Sequence, residues 1–244
     1  MRCGILIIGS LLWDSGKTGE RAAWRAARLD TGAQVPVRAS LYYGRRSGSR
    51  GDTYTMAFRP GEASARCIVV PCTEKAETVE KLVAEANALW QAEDLKAKPG
   101  SLHKSWGCVG ALFRPKPATE TLAAGWSEHF QNTKTRCVSV VNADGFLGIG
   151  WPDGLDGQPA DFDIILATAT KPEAEPPTAH AVADAWADKK GGHENYFFNN
   201  VKHGIRTPDD LEIWRRIEER APSWLESPMY EEAIGILRAE AKKL

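Results

Sequence analysis

The chain has 244 residues, with 31 Lys and Arg against 32 Asp and Glu, for a formal net charge of -1. A charge balance this even excludes a dedicated nucleic-acid binder, which needs a basic surplus to neutralise phosphates. No apolar run approaches the roughly 20 residues that cross a bilayer, so no membrane partner is expected, and the length suffices for one large core or two small ones.

Gly4-Ile5-Leu6-Ile7-Ile8 is an apolar run that breaks at Gly9-Ser10 and resumes at Leu11-Leu12-Trp13. A run of this length bounded by glycine predicts a buried strand that delivers a tight loop. Gly9 has the backbone freedom to let main-chain N–H groups converge on an anion; an ordinary core strand and turn is the plainer reading. Met1-Arg2 before the run imitates a secretory leader, but no small-x-small cleavage site follows and the chain passes straight into Trp13-Asp14. A cytoplasmic protein is therefore expected. Cys3, Cys67, Cys72, Cys108 and Cys137 are odd in number and widely spaced, without a CxxC pair, which fits reduced core thiols. Gly16-Lys17-Thr18 imitates a phosphate-binding loop, yet the motif requires glycine at position 11, where Leu stands.

Residues 36–43 alternate loosely and stop at Gly44, as a strand would. Residues 44–52 read as a flexible basic loop whose Arg45, Arg46 and Arg50 would suit a substrate carboxylate, with a solvated hairpin tip as the plainer reading. Residues 53–58 and 65–71 are two further strands, joined through the turn signal Pro60-Gly61. Short connections through this part suggest a meandering sheet or small barrel.

Across residues 73–94 the period changes. Val79, Leu82, Val83, Ala86, Leu89 and Trp90 recur at three- and four-residue spacing, an amphipathic helix with Thr73 as cap and Glu74 and Glu77 in its first turns. At about 100° per residue, Glu77, Glu80 and Glu85 project to water, whereas Glu93 falls near the centre of the apolar stripe. A carboxylate aimed at a core is costly unless it is paired, protonated or used. The alternative is a helix ending near Gln91, which leaves Glu93 to pair with Lys96 or Lys98.

A strand over 108–114 and a helix over 119–130 follow, then strands over 136–141 and 146–151 around the turn Asn142-Ala143-Asp144-Gly145. Residues 153–161 form a glycine-rich loop, 162–169 an apolar strand and 171–177 a proline-rich crossing. Everything after Thr178 reads helical: a helix capped by Thr178 that stops at Gly191-Gly192, a second over 194–203 that stops at Gly204, a third opened by Thr207-Pro208-Asp209-Asp210, and a last from Ser227-Pro228 through Leu237. The predicted class is α+β: a small mixed β-barrel or sheet flanked by helices over residues 1–170, with an insertion at about 97–134, and a helical C-terminal extension over 171–244 packed on the same domain. Neither a HExxH or Cys/His cluster nor a GxSxG elbow is present, so no metal and no cofactor is expected, and Ser10 has no identifiable histidine partner.

Ile8-Gly9-Ser10-Leu11-Leu12 resembles the Tyr-Gly-Ser-Asn/Leu-Leu strand end that opens the γ-glutamyl cyclotransferase-like family, with Ile8 at the tyrosine. Asn87-Ala88-Leu89-Trp90-Gln91-Ala92-Glu93 is similar to the family helix ending in Leu-x-x-x-Glu, and Asp94 stands where glycine usually follows. Tyr196-Phe197-Phe198 through Gly204-Ile205 resembles the C-terminal Tyr-Leu…Gly-Ile helix of the glutathione-specific branch. The likeness covers roughly residues 4–95 and 136–169 and, more faintly, 194–217. It implies a small-molecule γ-glutamyl substrate bound by Ile8, Gly9, Ser10, Leu11 and Tyr196, with Glu93 as catalytic acid/base. The implied reaction is intramolecular cleavage of a γ-glutamyl amide or peptide to 5-oxoproline and a free amine. A non-catalytic small-molecule binding or interaction protein on the same fold is the alternative. Oligomeric state is left open.

Overall fold

The computed structural model describes residues 1–61, 64–133, 140–190 and 193–242. The chain begins with β1 (Cys3–Ile7), buried along its whole length. After it come α1 (Glu20–Arg28), β2 (Val35–Ala39), β3 (Leu41–Ser47), β4 (Thr53–Phe58), β5 (Ala65–Pro71) and α2 (Val79–Glu93). Next are β6 (His103–Lys104), β7 (Gly107–Phe113), α3 (Pro117–Asn132), β8 (Asp153–Gly154) and β9 (Ile164–Thr170). Four helices follow: α4 (Ala179–Ala187), α5 (Glu194–Lys202), α6 (Asp210–Arg220) and α7 (Glu231–Ala241).

Seven strands form one mixed, mainly antiparallel sheet in the order β6-β7-β9-β1-β5-β2-β8, and β3 pairs with β4 in a separate hairpin. The class is thus α+β, a sheet flanked by helices, with no closed barrel among the described residues. β1 lies between β9, its parallel neighbour, and β5, its antiparallel one. A strand covered on both faces has no polar side, which is why its sequence is continuously apolar. A side chain at Gly4 would collide with Val69 at 2.5 Å and Phe162 at 2.7 Å.

The single strand expected over 36–43 is two strands. The chain changes sheets at Ser40: β2 pairs with β5, and β3 pairs with β4 across a register irregularity between Tyr42 and Arg45. Helix α1 was not anticipated. It buries no residue fully, so it lacks the stripe of large apolar residues that marks a helix in sequence.

α1 also explains two corrections on α2. The cap is Thr78, whose hydroxyl accepts from the Lys81 N–H at 3.4 Å, while Thr73 instead bonds the Arg28 carbonyl. Glu85 does not face water; it is 4% exposed and pairs with Arg28 at 3.0 Å. The helix face read as solvent is covered because α1 packs on it. α2 does run to Glu93, with the Asp94 N–H closing onto Trp90 O at 2.9 Å.

β7 and α3 appear close to their expected bounds. The expected 136–141 strand lies mostly outside the described residues, as does Cys137. The turn that follows is present, with Gly145 N–H bonding Asn142 O at 3.0 Å and Gly145 at φ 78°. Among the described residues, 146–151 contribute isolated bridges, Phe146 to Ala111 and Leu147 to Val141, and the Gly148 N–H donates to Val140 O at 2.7 Å. The loop over 153–161 contains the short β8.

Thr178 caps α4 as expected, accepting from the Ala181 N–H at 3.1 Å; α4 ends at Ala187, and the proposed stop at Gly191-Gly192 lies outside the described residues. Gly204 ends α5 with φ 77°. α6 begins at Asp210 rather than Pro208, because Thr207 spends its hydroxyl on the fully buried Asp210, itself paired with Arg206 at 2.7 Å. The last helix opens with a 3-10 turn over Pro228–Tyr230. Among the described residues, Cys3, Cys67, Cys72 and Cys108 are free thiols, and no helix is long and apolar enough to cross a membrane.

Candidate active site

The loop after β1 coils on itself. Leu12 N–H donates to Gly9 O at 3.0 Å, and Trp13 and Asp14 N–H donate to Ser10 O at 3.2 and 2.7 Å. The N–H groups of Gly9, Ser10 and Leu11 find no acceptor among the described residues. Three successive open donors at the start of a coiled turn suit an anion. Gly9 is required for a different reason than expected. Its φ is not left-handed; instead a Cβ there would stand 2.7 Å from the Tyr196 hydroxyl.

Tyr196 reaches this point from α5. Its hydroxyl accepts the Met56 N–H at 3.1 Å, and Trp13, whose indole donates to Asn200 Oδ1 at 2.9 Å, packs against its ring. Ser10 Oγ accepts from Arg50 Nη2 at 2.8 Å and from Arg21 Nη1 at 3.3 Å. Arg50 also lies over the Tyr196 ring, 5.0 Å from its centroid.

A cavity of about 850 Å3 opens here, and Ile8, Gly9, Ser10, Leu11, Glu93 and Tyr196 all line it. All six residues named from sequence are therefore gathered around one space. Glu93 occupies the last position of α2, its side chain 20% exposed towards the cavity, with Arg21 Nη2 at 3.5 Å. Burial lifts its carboxyl above the usual glutamate range; Arg21, Arg45 and Arg50 oppose the lift, and Asp14 adds to it. The negative end of the α2 dipole acts in the same direction as burial.

Sequence reading missed Arg21, and it left Arg45 and Arg50 between a substrate carboxylate and a solvated tip. Arg21 arrives on α1, held by Asp14 at 2.7 Å and by the Ala92 carbonyl at 3.1 Å. Arg45 and Arg50 do not lie on a solvated tip. β3 extends to Ser47, a 3-10 turn spans Gly48–Arg50, and both side chains line the cavity. The Arg45 guanidinium lies 4.6 Å over the Trp106 ring, which stacks on Trp90 at 4.9 Å. The clustering of arginines at 45, 46 and 50 was a visible signal; the cavity they face was not. Thr168 adds to the wall a buried hydroxyl that has no partner among the described residues. Asp94, beside Glu93, is matched by Lys104.

The phosphate-loop imitation is filled from within. Glu20 takes the Lys17 N–H at 3.1 Å and the Thr18 N–H and hydroxyl at 2.8 and 2.9 Å. Main-chain N–H bonds bring its carboxyl down to about 2. Among the described residues no group of three or more His, Cys, Asp or Glu is placed to hold a metal.

No protein-family model and no curated protein matches the chain. A search of solved structures finds a γ-glutamyl cyclotransferase specific to glutathione from yeast, 8% identical, covering 98% of this chain and 99% of that one at a TM-score of 0.35. A likeness that shallow carries no argument about fold or site.

Proposed function

We propose that the chain is a γ-glutamyl cyclotransferase-like enzyme that cleaves a small γ-glutamyl amide or peptide into 5-oxoproline and a free amine. The observation that supports this reading is the placement of Glu93, a carboxylate lifted by burial, on the same cavity as the open N–H groups of Gly9, Ser10 and Leu11. Attacking amine and carbonyl belong to one molecule, so the site's first task is to hold the folded-back conformer ready for ring closure.

Ionised Glu93 takes a proton from the substrate α-ammonium. The freed amine attacks the γ-carbonyl carbon, forming the ring C–N bond and a tetrahedral oxyanion. The N–H groups of Gly9, Ser10 and Leu11, with Arg50 behind Ser10, hold the α-carboxylate or that oxyanion. As the oxyanion collapses, the old C–N bond breaks and Glu93 returns its proton to the leaving nitrogen; the carboxylate so restored takes the surplus proton from the new ring nitrogen and passes it to the departing amine or to water, leaving the neutral lactam. Where the family motif has tyrosine, Ile8 forms cavity wall; the phenol of this site comes from Tyr196, which also sets the position of Gly9.

The test is 5-oxoproline release from a panel of γ-glutamyl amino acids, γ-glutamyl amines and glutathione. Release that disappears in Glu93→Gln, with ligand binding retained, supports the reading. Binding without release across the panel assigns a binding protein instead, and undiminished turnover in Glu93→Gln removes Glu93 from the chemistry.

A further inference from the structure

The stretch between α2 and β7 carries charge that the site at Glu93 does not use. Residues 95–119 contain Lys96, Lys98, Lys104, Arg114 and Lys116 and no Asp or Glu, in a chain whose formal net charge is -1. The first three of these lysines surround a second cavity of about 400 Å3. Ser101, His103 and Ser105 lie on its wall, and no carboxylate lines it.

The lysines do not sit on a loose tip. Asp94 Oδ1 accepts the Lys96 N–H at 3.1 Å, and Asp94 O accepts the Ala97 N–H at 2.8 Å, closing one turn. A second turn follows at once. Ser101 N–H donates to Lys98 O at 3.0 Å across Pro99-Gly100, with Gly100 at φ 79°, the left-handed third residue of a type II turn. Ser101 Oγ donates to His103 O at 3.1 Å, and the carbonyl of the fully buried Leu102 accepts the Val109 N–H at 2.9 Å. β6 then pairs His103 and Lys104 with Cys108 and Gly107 of β7. The backbone under each lysine is thus tied down, and a ligand has to order only the side chains.

Charge balance selects the ligand. Lys104 is paired with Asp94, whereas Lys96 and Lys98 make no ion pair among the described residues. Two unmatched ammoniums call for a dianion. A lysine is a compact point charge that suits a tetrahedral oxyanion, while a planar carboxylate is better held by the guanidinium forks of the larger cavity.

We propose that the 96–105 loop forms a second binding site, for a phosphate dianion either free or as a small phosphate monoester, with Lys96, Lys98 and Lys104 as its ligands. Asp94 and Ser105 also line the larger cavity, so the two sites share a wall, and a bound dianion competes with Asp94 for Lys104. The site stands whether or not Glu93 is an acid/base.

The test is calorimetric titration of the full chain at about pH 8 with inorganic phosphate and methyl phosphate, both dianions there, and with dimethyl phosphate, a monoanion. Inorganic phosphate should bind saturably, with Kd below about 1 mM. Binding of methyl phosphate as well identifies a monoester site, and its exclusion identifies a site for the free ion. Dimethyl phosphate should bind at least about 10-fold more weakly than inorganic phosphate, and Lys96→Met/Lys98→Met should weaken phosphate by about 10- to 100-fold, with circular dichroism unchanged. Asp94→Asn keeps the Oδ1 cap on Lys96 but releases Lys104, and should tighten phosphate binding by about 2- to 5-fold, the scale of a partly exposed ion pair. A gain of affinity cannot come from misfolding. No saturable phosphate binding, equal binding of dimethyl phosphate, or no tightening in Asp94→Asn overturns the proposal. Binding that survives Lys96→Met/Lys98→Met but is lost in Arg50→Met places the anion in the larger cavity and overturns it too.

Discussion

Two glutamates on α2 pair with two arginines on α1, and only one of the pairs looks like chemistry. Glu85 meets Arg28 at 3.0 Å; Glu93, two turns on, meets Arg21 at 3.5 Å. Burial lifts both carboxyls above the ordinary range, and in both the paired arginine pulls back. The surroundings separate them. Glu85 is enclosed between the helices, 4% exposed, with Arg28 as its one hydrogen-bond partner among the described residues. Glu93 opens on the cavity that also receives Arg45, Arg50, Ser10 and the donors of Gly9 and Leu11. A lifted carboxyl and a half-buried ion pair are thus consequences of packing two helices. Access and the convergence of other groups make one of them a candidate acid/base.

The largest expected effect is on Glu93. Glu93→Gln should cut 5-oxoproline release by about 10²- to 10⁴-fold, the usual worth of a placed acid/base group, with circular dichroism unchanged. Glu85→Ala should leave kcat/KM within about twofold and lower the unfolding free energy by about 1–3 kcal/mol on chemical denaturation. Arg28, 39% exposed, can recover water when stranded, which favours the low end of that range. If Glu85→Ala abolished turnover in a folded protein, the contrast between the two pairs would collapse.

The pH dependence sharpens the same contrast. The Glu93 carboxyl is lifted in the folded protein, so the native state binds its proton more tightly than the unfolded chain. Stability from that proton is complete below the unfolded value of about 4.3 and is lost as pH rises through the lifted one. Activity that needs the ionised base rises through the same window, so rate and stability should move in opposite directions there. Glu93→Gln, fixed in the neutral form, should gain stability relative to the wild type over this interval, as read from Tm against pH. The smallest effect belongs to the phosphate-loop imitation. Because Glu20 already fills it, Lys17→Ala should change stability by no more than about 0.5 kcal/mol and leave kcat/KM unaltered.

Much of the frame was legible in sequence because its signals are local. β4 and β5 match the strands expected at Thr53–Phe58 and Ala65–Pro71 around the Pro60-Gly61 turn, and Thr178 and Gly204 mark helix ends where cap chemistry places them. The site was half legible. The apolar strand pointed to the 8–11 loop, and helical phase separated Glu93 from the acids at 77 and 80. Phase misled at Glu85, since a helix face reads as solvent only until another helix covers it, and α1, built on alanines and arginines around one tryptophan, carried no stripe of large apolar residues to announce itself.

By itself, then, the sequence determined the strand-then-loop at residues 4–12, the amphipathic character of α2 and the inward phase of Glu93, all matters of period and turn chemistry within one segment. Tertiary structure decided that Arg21, Arg45, Arg50 and Tyr196 join them and that the glycine at position 9 answers to a hydroxyl from position 196. Those decisions depend on contacts between segments up to 187 residues apart. No local periodicity encodes such contacts; they follow from which faces the packed elements bring together.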